Sequence, residues 1–286
     1  MALKVGIQLY SIKNAMAKDP IAAIGEVARI GYKYIETANH RTDQDCGCGF
    51  GVEAEHLKEQ LAPYGSQVIS GHIFPMNMDT IDAIIAYYSV LGAKYLVNPM
   101  NVFKDRDEVL RACDNYNLVG KRIAQAGMRF CYHNHFHEFQ RFGNQNVMEL
   151  IMANTDPAYV SIQLDTYWAL RGGCDPVSFI QAHADRVCVL HQKDLAQDYD
   201  QPLNHLEKCA DRYITHEVFR DTVGDRHAIV EIGTGCMDIQ QIIDAANATG
   251  KIEYIILEQD QTQLDEMESI RLSMACFRKF SGIDWN

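Results

Sequence analysis

Arg129-Phe130-Cys131-Tyr132-His133-Asn134-His135-Phe136-His137-Glu138-Phe139 is the stretch whose reading decides the fold. Its first half is a short apolar run of strand type. Its second half sets three histidines, an asparagine and a glutamate within six residues. A strand that delivers a site at its tip has this pattern, an apolar run ending abruptly in ligand-type side chains. A polar loop with satisfied histidines has the same local pattern, so the flanking order has to decide.

Outward from this stretch, strand-like runs alternate with helical ones in both directions. Upstream lie 5–10, 34–37, 67–73 and 95–98; downstream lie 160–165, 187–191 and 253–258. The intervening segments carry helix signals. Asp19-Pro20 supplies an N-cap and a first-turn proline, Ile21, Ile24, Val27 and Ala28 recur at helical spacing, and Gly31 ends the run. Further helices are expected over about 52–64, 80–91, 106–125, 147–154, from Asp175-Pro176 onward, and over about 239–248 and 264–280. Eight strands alternating with eight helices predict a parallel sheet. At 286 residues they fit an α/β fold of the (β/α)8 TIM barrel type, as one domain over 1–286, better than an open doubly wound sheet. No Gly-x-Gly-x-x-Gly turn follows the first strand, which further weakens a dinucleotide-binding fold. A polar insertion at about 192–226 is the least regular part and a candidate lid. Ala228-Ile229-Val230-Glu231 reads as a short extra extended segment after it.

Composition narrows the function classes. The net charge of -12 argues against a nucleic-acid partner and offers no polybasic segment for a membrane. No apolar run approaches a membrane span and the N-terminus has no leader pattern, so a cytoplasmic protein is expected. The nine cysteines have no framework spacing. Cys131 and Cys188 lie in apolar runs and read as core thiols. Cys46-Gly47-Cys48-Gly49 lacks a second pair and reads as a loop with two free thiols.

In such barrels the active site lies at the C-terminal strand ends. Glu138, Asp165, His191 and Glu258 end or closely follow the strands five to eight. Any one of them has an ordinary explanation as a turn residue, a core histidine or a solvated strand end. Together, three carboxylates on one rim would repel unless a cation neutralised them. Carboxylates with one imidazole suit a single divalent ion such as Mn, Mg, Co or Zn.

The same residues carry a resemblance. Gly6-Ile7-Gln8-Leu9-Tyr10-Ser11, the stretch 133–139, Leu164-Asp165-Thr166-Tyr167-Trp168, His191-Gln192-Lys193-Asp194 and Leu257-Glu258-Gln259-Asp260 resemble the xylose-isomerase-like barrel superfamily. The likeness is to its sugar phosphate isomerase/epimerase branch, related to ketose 3-epimerases and inosose dehydratases. The resemblance implies Glu138, Asp165, His191 and Glu258 as metal ligands, with Glu138 and Glu258 also the catalytic acid/base pair. It implies an isomerase or epimerase acting on a sugar or sugar derivative: proton abstraction beside a carbonyl, a metal-stabilised enediolate, and reprotonation on the other face. A lyase of the inosose or keto-sugar type starts from the same enediolate and is the alternative. Two positions depart from the ketose 3-epimerase pattern. Trp168 stands where a histidine is usual, and Lys193 lies near the place of an arginine. Trp168, Lys193, His72, His135 and Tyr10 are candidate substrate contacts, with Gln8 weaker. Lys193-Asp194 could equally be an ion pair, and Trp168 could be packed. His133 reads as packed in the barrel.

Glu231-Ile232-Gly233-Thr234-Gly235 resembles a glycine-rich turn of the branch. Glu231 reads as a turn anchor, and the glycines as a weak phosphate candidate. An apurinic-site endonuclease would need more rim histidines and a less acidic chain, and a non-catalytic sugar-binding barrel would not need the four-ligand set. The expected partner is a small sugar or cyclitol, with no nucleic acid and no membrane. The resemblance also implies a homo-oligomer.

Overall fold

Eight parallel strands close on themselves: β1 (Lys4–Gln8), β2 (Tyr34–Asn39), β3 (Gln67–Ile73), β4 (Tyr95–Asn98), β5 (Arg129–His133), β6 (Val160–Asp165), β7 (Val187–Gln192) and β8 (Tyr254–Leu257). They lie in chain order, and β8 returns to β1 in the register Lys4 to Tyr254 through Ile7 to Leu257. This computed structural model describes residues 2–209, 213–225 and 227–286. Met1 of the N-terminal run, and residues 210–212 and 226 of the anticipated insertion, lie outside the described residues.

The helices α1 (Pro20–Ile30), α2 (Ala54–Leu61), α3 (Ile81–Leu91), α4 (Arg106–Gln125), α5 (Val147–Asn154), α6 (Pro176–Ala182), α7 (Ile239–Thr249) and α8 (Glu266–Phe277) surround the barrel. Asp19 caps α1 as its sequence requires, accepting from the Ala22 N–H at 3.0 Å. Gly31 ends the helix at φ 113°, a left-handed conformation that favours glycine.

Strand alternation divides the core. Ile7, Ile35, Leu96, Phe130, Ile162 and Leu190 face outward into the layer shared with the helices. Ile69, Val97, Cys131, Cys188, Val189, Tyr254 and Ile256 fill the barrel floor. Cys131 and Cys188 are buried free thiols, 3.1 Å apart at sulfur.

Three local features differ from the sequence reading. The first strand stops at Gln8, two residues early, because the Gln8 side chain accepts from the Tyr10 N–H at 3.1 Å and turns the chain into a 3-10 turn. A helix, Thr166–Arg171, begins directly at the tip of β6, ahead of α6. The insertion is also more regular than its polarity suggests, since it holds helices at His205–Cys209 and His216–Val223. The fully buried Arg171 ties the insertion to the barrel. Its guanidinium donates to the Leu203 carbonyl at 2.9 Å, the Tyr167 hydroxyl at 2.9 Å and the Tyr199 hydroxyl at 2.5 Å. The extra extended segment forms as Ile229–Val230, antiparallel to Asp194–Leu195. No helix among the described residues is long and apolar enough to cross a membrane.

Candidate active site

Above the apolar floor, the strands place a polar layer inside the barrel. Gln8, Glu36, His72, His133, Gln163, Asp165 and His191 are all essentially buried. Burying so many polar groups is tolerable only if they satisfy one another. Glu36 is the hub. Its Oε1 accepts from Gln8 at 2.9 Å and lies 2.6 Å from His191 Nε2 and 3.1 Å from His72 Nε2, while its Oε2 accepts from Gln163 at 2.7 Å. Gln163 Oε1 in turn meets His72 at 2.7 Å and His133 at 3.0 Å. The two register shifts recorded between barrel strands fall at Ile35/Glu36 and at Ile162/Gln163. Bulges there re-aim Glu36 and Gln163 within the pleat.

His191 is held between two acids: Nε2 faces Glu36, and Nδ1 lies 3.0 Å from Glu258 Oε2. Burial disfavours the charged ring, but Glu36 and Glu258 outweigh it and lift the imidazole to about 9. Burial likewise works to raise the Glu36 carboxyl, yet His72 and His191 bring it down to about 2. Lys193 completes the cluster from just beyond β7. Its fully buried ammonium sits 2.5 Å from both Asp165 Oδ2 and Glu258 Oε2. The other Asp165 oxygen accepts from the Trp168 N–H at 2.7 Å, so this carboxylate also caps the Thr166–Arg171 helix.

The structure brings together three of the four expected ligands. Potential ligand atoms of His133, Asp165, His191 and Glu258 lie within 4.8 Å of one another. Glu138 is not in this group. β5 ends at His133, so Glu138 falls on a 3-10 turn, His137–Phe139. There it is buried, accepting from the Tyr132 hydroxyl at 2.8 Å and the His135 N–H at 2.8 Å, and it does not line the cavity. Strand five therefore contributes His133 to the cluster, the residue its sequence suggested was merely packed.

A cavity of about 690 Å³ opens over the cluster, lined by the expected residues Tyr10, His72, His135, Trp168 and Glu258. Lys193, also an expected contact, does not line it; it is fully buried and held by Asp165 and Glu258. Trp168 is buried, with its ring 5.6 Å from that of His135. Phe219 from the insertion reaches the same wall and stacks on Phe136 at 5.5 Å. The buried nitrogens His133 Nε2, His135 Nδ1 and Trp168 Nε1 have no hydrogen-bond partner among the described residues.

The glycine-rich turn serves another purpose than phosphate binding. Asp194 accepts from the Gly233 and Gly235 N–H groups at 2.9 and 3.0 Å, and from the Met237 N–H at 3.1 Å. A Cβ at Gly235 would collide with the Leu195 carbonyl and with Asp194 itself. Glu231 is engaged outside the cavity, accepting from the Thr262 hydroxyl at 2.6 Å.

Two imidazoles and two carboxylates make a donor set for a borderline divalent ion. The orphaned His133 Nε2 supplies the observation that such an ion fits, since a buried ring nitrogen with no partner is otherwise costly.

A family profile described as xylose isomerase-like TIM barrel matches residues 24–280. The chain belongs to this family. Among curated members it is 26% identical to an inosose dehydratase of Lacticaseibacillus casei over 263 residues, covering 84% of this chain and 81% of that one. A solved sugar phosphate isomerase/epimerase from Parabacteroides distasonis ATCC 8503 superposes at TM-score 0.76 with 24% identity, covering 99% of this chain and all of that one. The IOLI protein, solved with a bound zinc atom, superposes at TM-score 0.67 with 16% identity, covering 98% and 100%. These structural likenesses establish the shared barrel. The C-terminal strand ends, where barrels of this kind carry their sites, are where this member gathers its buried histidines and acids.

Proposed function

We propose that this protein is a divalent-metal-dependent lyase acting on a keto-cyclitol or keto-sugar. It removes a proton from the carbon beside the carbonyl, and the hydroxyl on the next carbon leaves as water. The observation that carries this reading is the place of Glu138. A two-carboxylate epimerase needs an acid/base on each face of the substrate, and here Glu258 lines the cavity while Glu138 does not. The inosose dehydratase relative, matched over most of both chains, supports the same choice.

His133, Asp165, His191 and Glu258 would hold the ion. A divalent ion held there would polarise a carbonyl and make the adjacent C–H more acidic. The remaining work falls to side chains on the cavity wall. Burial keeps the His135 imidazole well below its usual pKa, so near neutral pH it is uncharged and can accept the proton. Asp260 also lines the cavity. Burial raises its carboxyl, Lys193 opposes the rise, and Glu258 and Asp165 add to it, placing it at about 7. Asp260 is thus ready to ionise beside an approaching cation, and the departing hydroxyl takes its proton from the imidazolium that His135 became in the first step. His72, oriented by Glu36 and Gln163, faces substrate oxygens. Trp168 and Phe219 cover the apolar C–H face of a ring and exclude water.

Proton NMR of products formed in D₂O from a panel of inososes and 3-keto-sugars tests this. Loss of water with an alkene or enol signal is expected, and deuterium at an inverted carbon with no loss of water would replace the lyase by an epimerase. His135→Gln should lower kcat by about 10²–10⁴-fold while leaving metal content unchanged.

A further inference from the structure

Lys193 stands where the bound cation of a metal site would stand. Its Nζ is 2.5 Å from one oxygen of Asp165 and 2.5 Å from one oxygen of Glu258. Both residues belong to the group whose ligand atoms converge with those of His133 and His191. An ammonium and a divalent ion cannot both be held closely by those oxygens, because like charges at such a distance repel strongly where water is excluded. The lysine has somewhere else to go. Asp260 Oδ2 is already 3.6 Å from Nζ, and Asp260 faces the cavity. The Trp168 ring lies 5.8 Å away. The flexible four-carbon stem of lysine allows such a swing, whereas a planar guanidinium would be harder to re-aim.

We propose that Lys193 is a two-position residue. Its ammonium neutralises Asp165 and Glu258 while no metal is bound, and it yields that place to an entering divalent ion by turning toward Asp260. The inference rests on the metal-site reading above and adds to it a built-in competitor. Metal affinity is set partly by how readily the lysine leaves, and metal entry delivers a cationic donor to the cavity wall. There it can meet a substrate oxygen, the role its sequence position suggested.

The test is Mn²⁺ titration calorimetry on the metal-stripped full chain, comparing the parent with Lys193→Met and Lys193→Arg. Lys193→Met should bind Mn²⁺ at least about tenfold more tightly, and Lys193→Arg, which keeps the charge on a fork that is harder to re-aim, should bind no more tightly than the parent. Equal affinity in parent and Lys193→Met overturns this inference alone. Equal tightening in the Met and Arg variants also overturns it, because charge would then not be the cause. No Mn²⁺ binding by any of the three overturns the metal site and the inference together. If Lys193→Met does not fold, a crystal structure of the parent grown with Mn²⁺ decides. Nζ closer to Asp260 than to Asp165 and Glu258 is the expected result, and an unmoved Nζ beside the bound ion refutes the exchange.

Discussion

Replacing Glu36 by Gln removes one negative charge from the centre of the barrel and changes almost nothing in volume. The carboxylate faces four donor groups, from Gln8, His72, His191 and Gln163. A glutamine has one acceptor oxygen, so its amide NH₂ must point either at the Gln163 NH₂ or at the other three. Breaking a buried ion pair by removing one partner costs about 3–5 kcal/mol, and an unmet buried donor costs about 1–3 kcal/mol. A loss of at least about 3 kcal/mol is therefore expected for Glu36→Gln near pH 6. The pH dependence follows from His191. Its folded-state pKa is raised from 6.5 to about 9, so its contribution is complete below about 6.5 and is lost as pH climbs through 9. For the metal-stripped parent this amounts to a decline on the order of 3 kcal/mol between pH 6 and pH 9.5. The variant has lost one of the two acids that raise His191, so its decline should be smaller. Urea unfolding in the presence of a chelator at both pH values measures each quantity. A parent with the same stability at pH 6 and 9.5, or a variant within about 1 kcal/mol of the parent at pH 6, would refute the two-acid account of His191.

Two other predictions concern the frame around the site. Asp194→Asn weakens charge-assisted bonds to the N–H groups of Gly233, Gly235 and Met237, so hydrogen exchange at those amides should accelerate while the barrel strands stay protected; unchanged exchange would show that the turn holds itself. Gly71→Ala puts a methyl against the Tyr88 hydroxyl and 2.7 Å from Thr37 Oγ1, atoms that are hydrogen-bonded to each other at 2.6 Å. Overpacking of that kind costs about 1–3 kcal/mol, and a melting temperature at or above the parent's would contradict it.

The barrel was legible because each strand is an apolar run closed by a turn and followed by helix periodicity, and the order of those runs leaves few topologies. The candidate cluster was legible only where strand tips end in ligand types, as at Asp165, His191 and Glu258. Strand five misled because a glutamate outweighs a histidine in any search for ligands, although the apolar run itself stops at His133. Glu36 was missed because it lies inside a strand and not at a tip. A signal was present: Gln8 and Gln163 are each flanked on both sides by apolar residues and Glu36 directly follows Ile35, and in a closed barrel a polar residue alternating with outward apolar ones points inward. The two bulges that aim Glu36 and Gln163 have no sequence mark, since a register shift belongs to two strands at once. The part played by Phe219 was equally hidden, because it depends on Arg171 anchoring an insertion whose composition reads as loop.

Trp168 has one further use. The chain has two tryptophans. The other, Trp285, sits against Arg278 at 5.0 Å, two residues past the bridge between Ile283 and Leu3 that precedes β1. With Trp285 replaced by phenylalanine, the protein would carry a single tryptophan, excitable at wavelengths its tyrosines do not absorb, set into the cavity wall and 5.8 Å from the Lys193 ammonium. Its emission would then register what enters the cavity and where that charge sits, so candidate ligands could be screened by light without turnover.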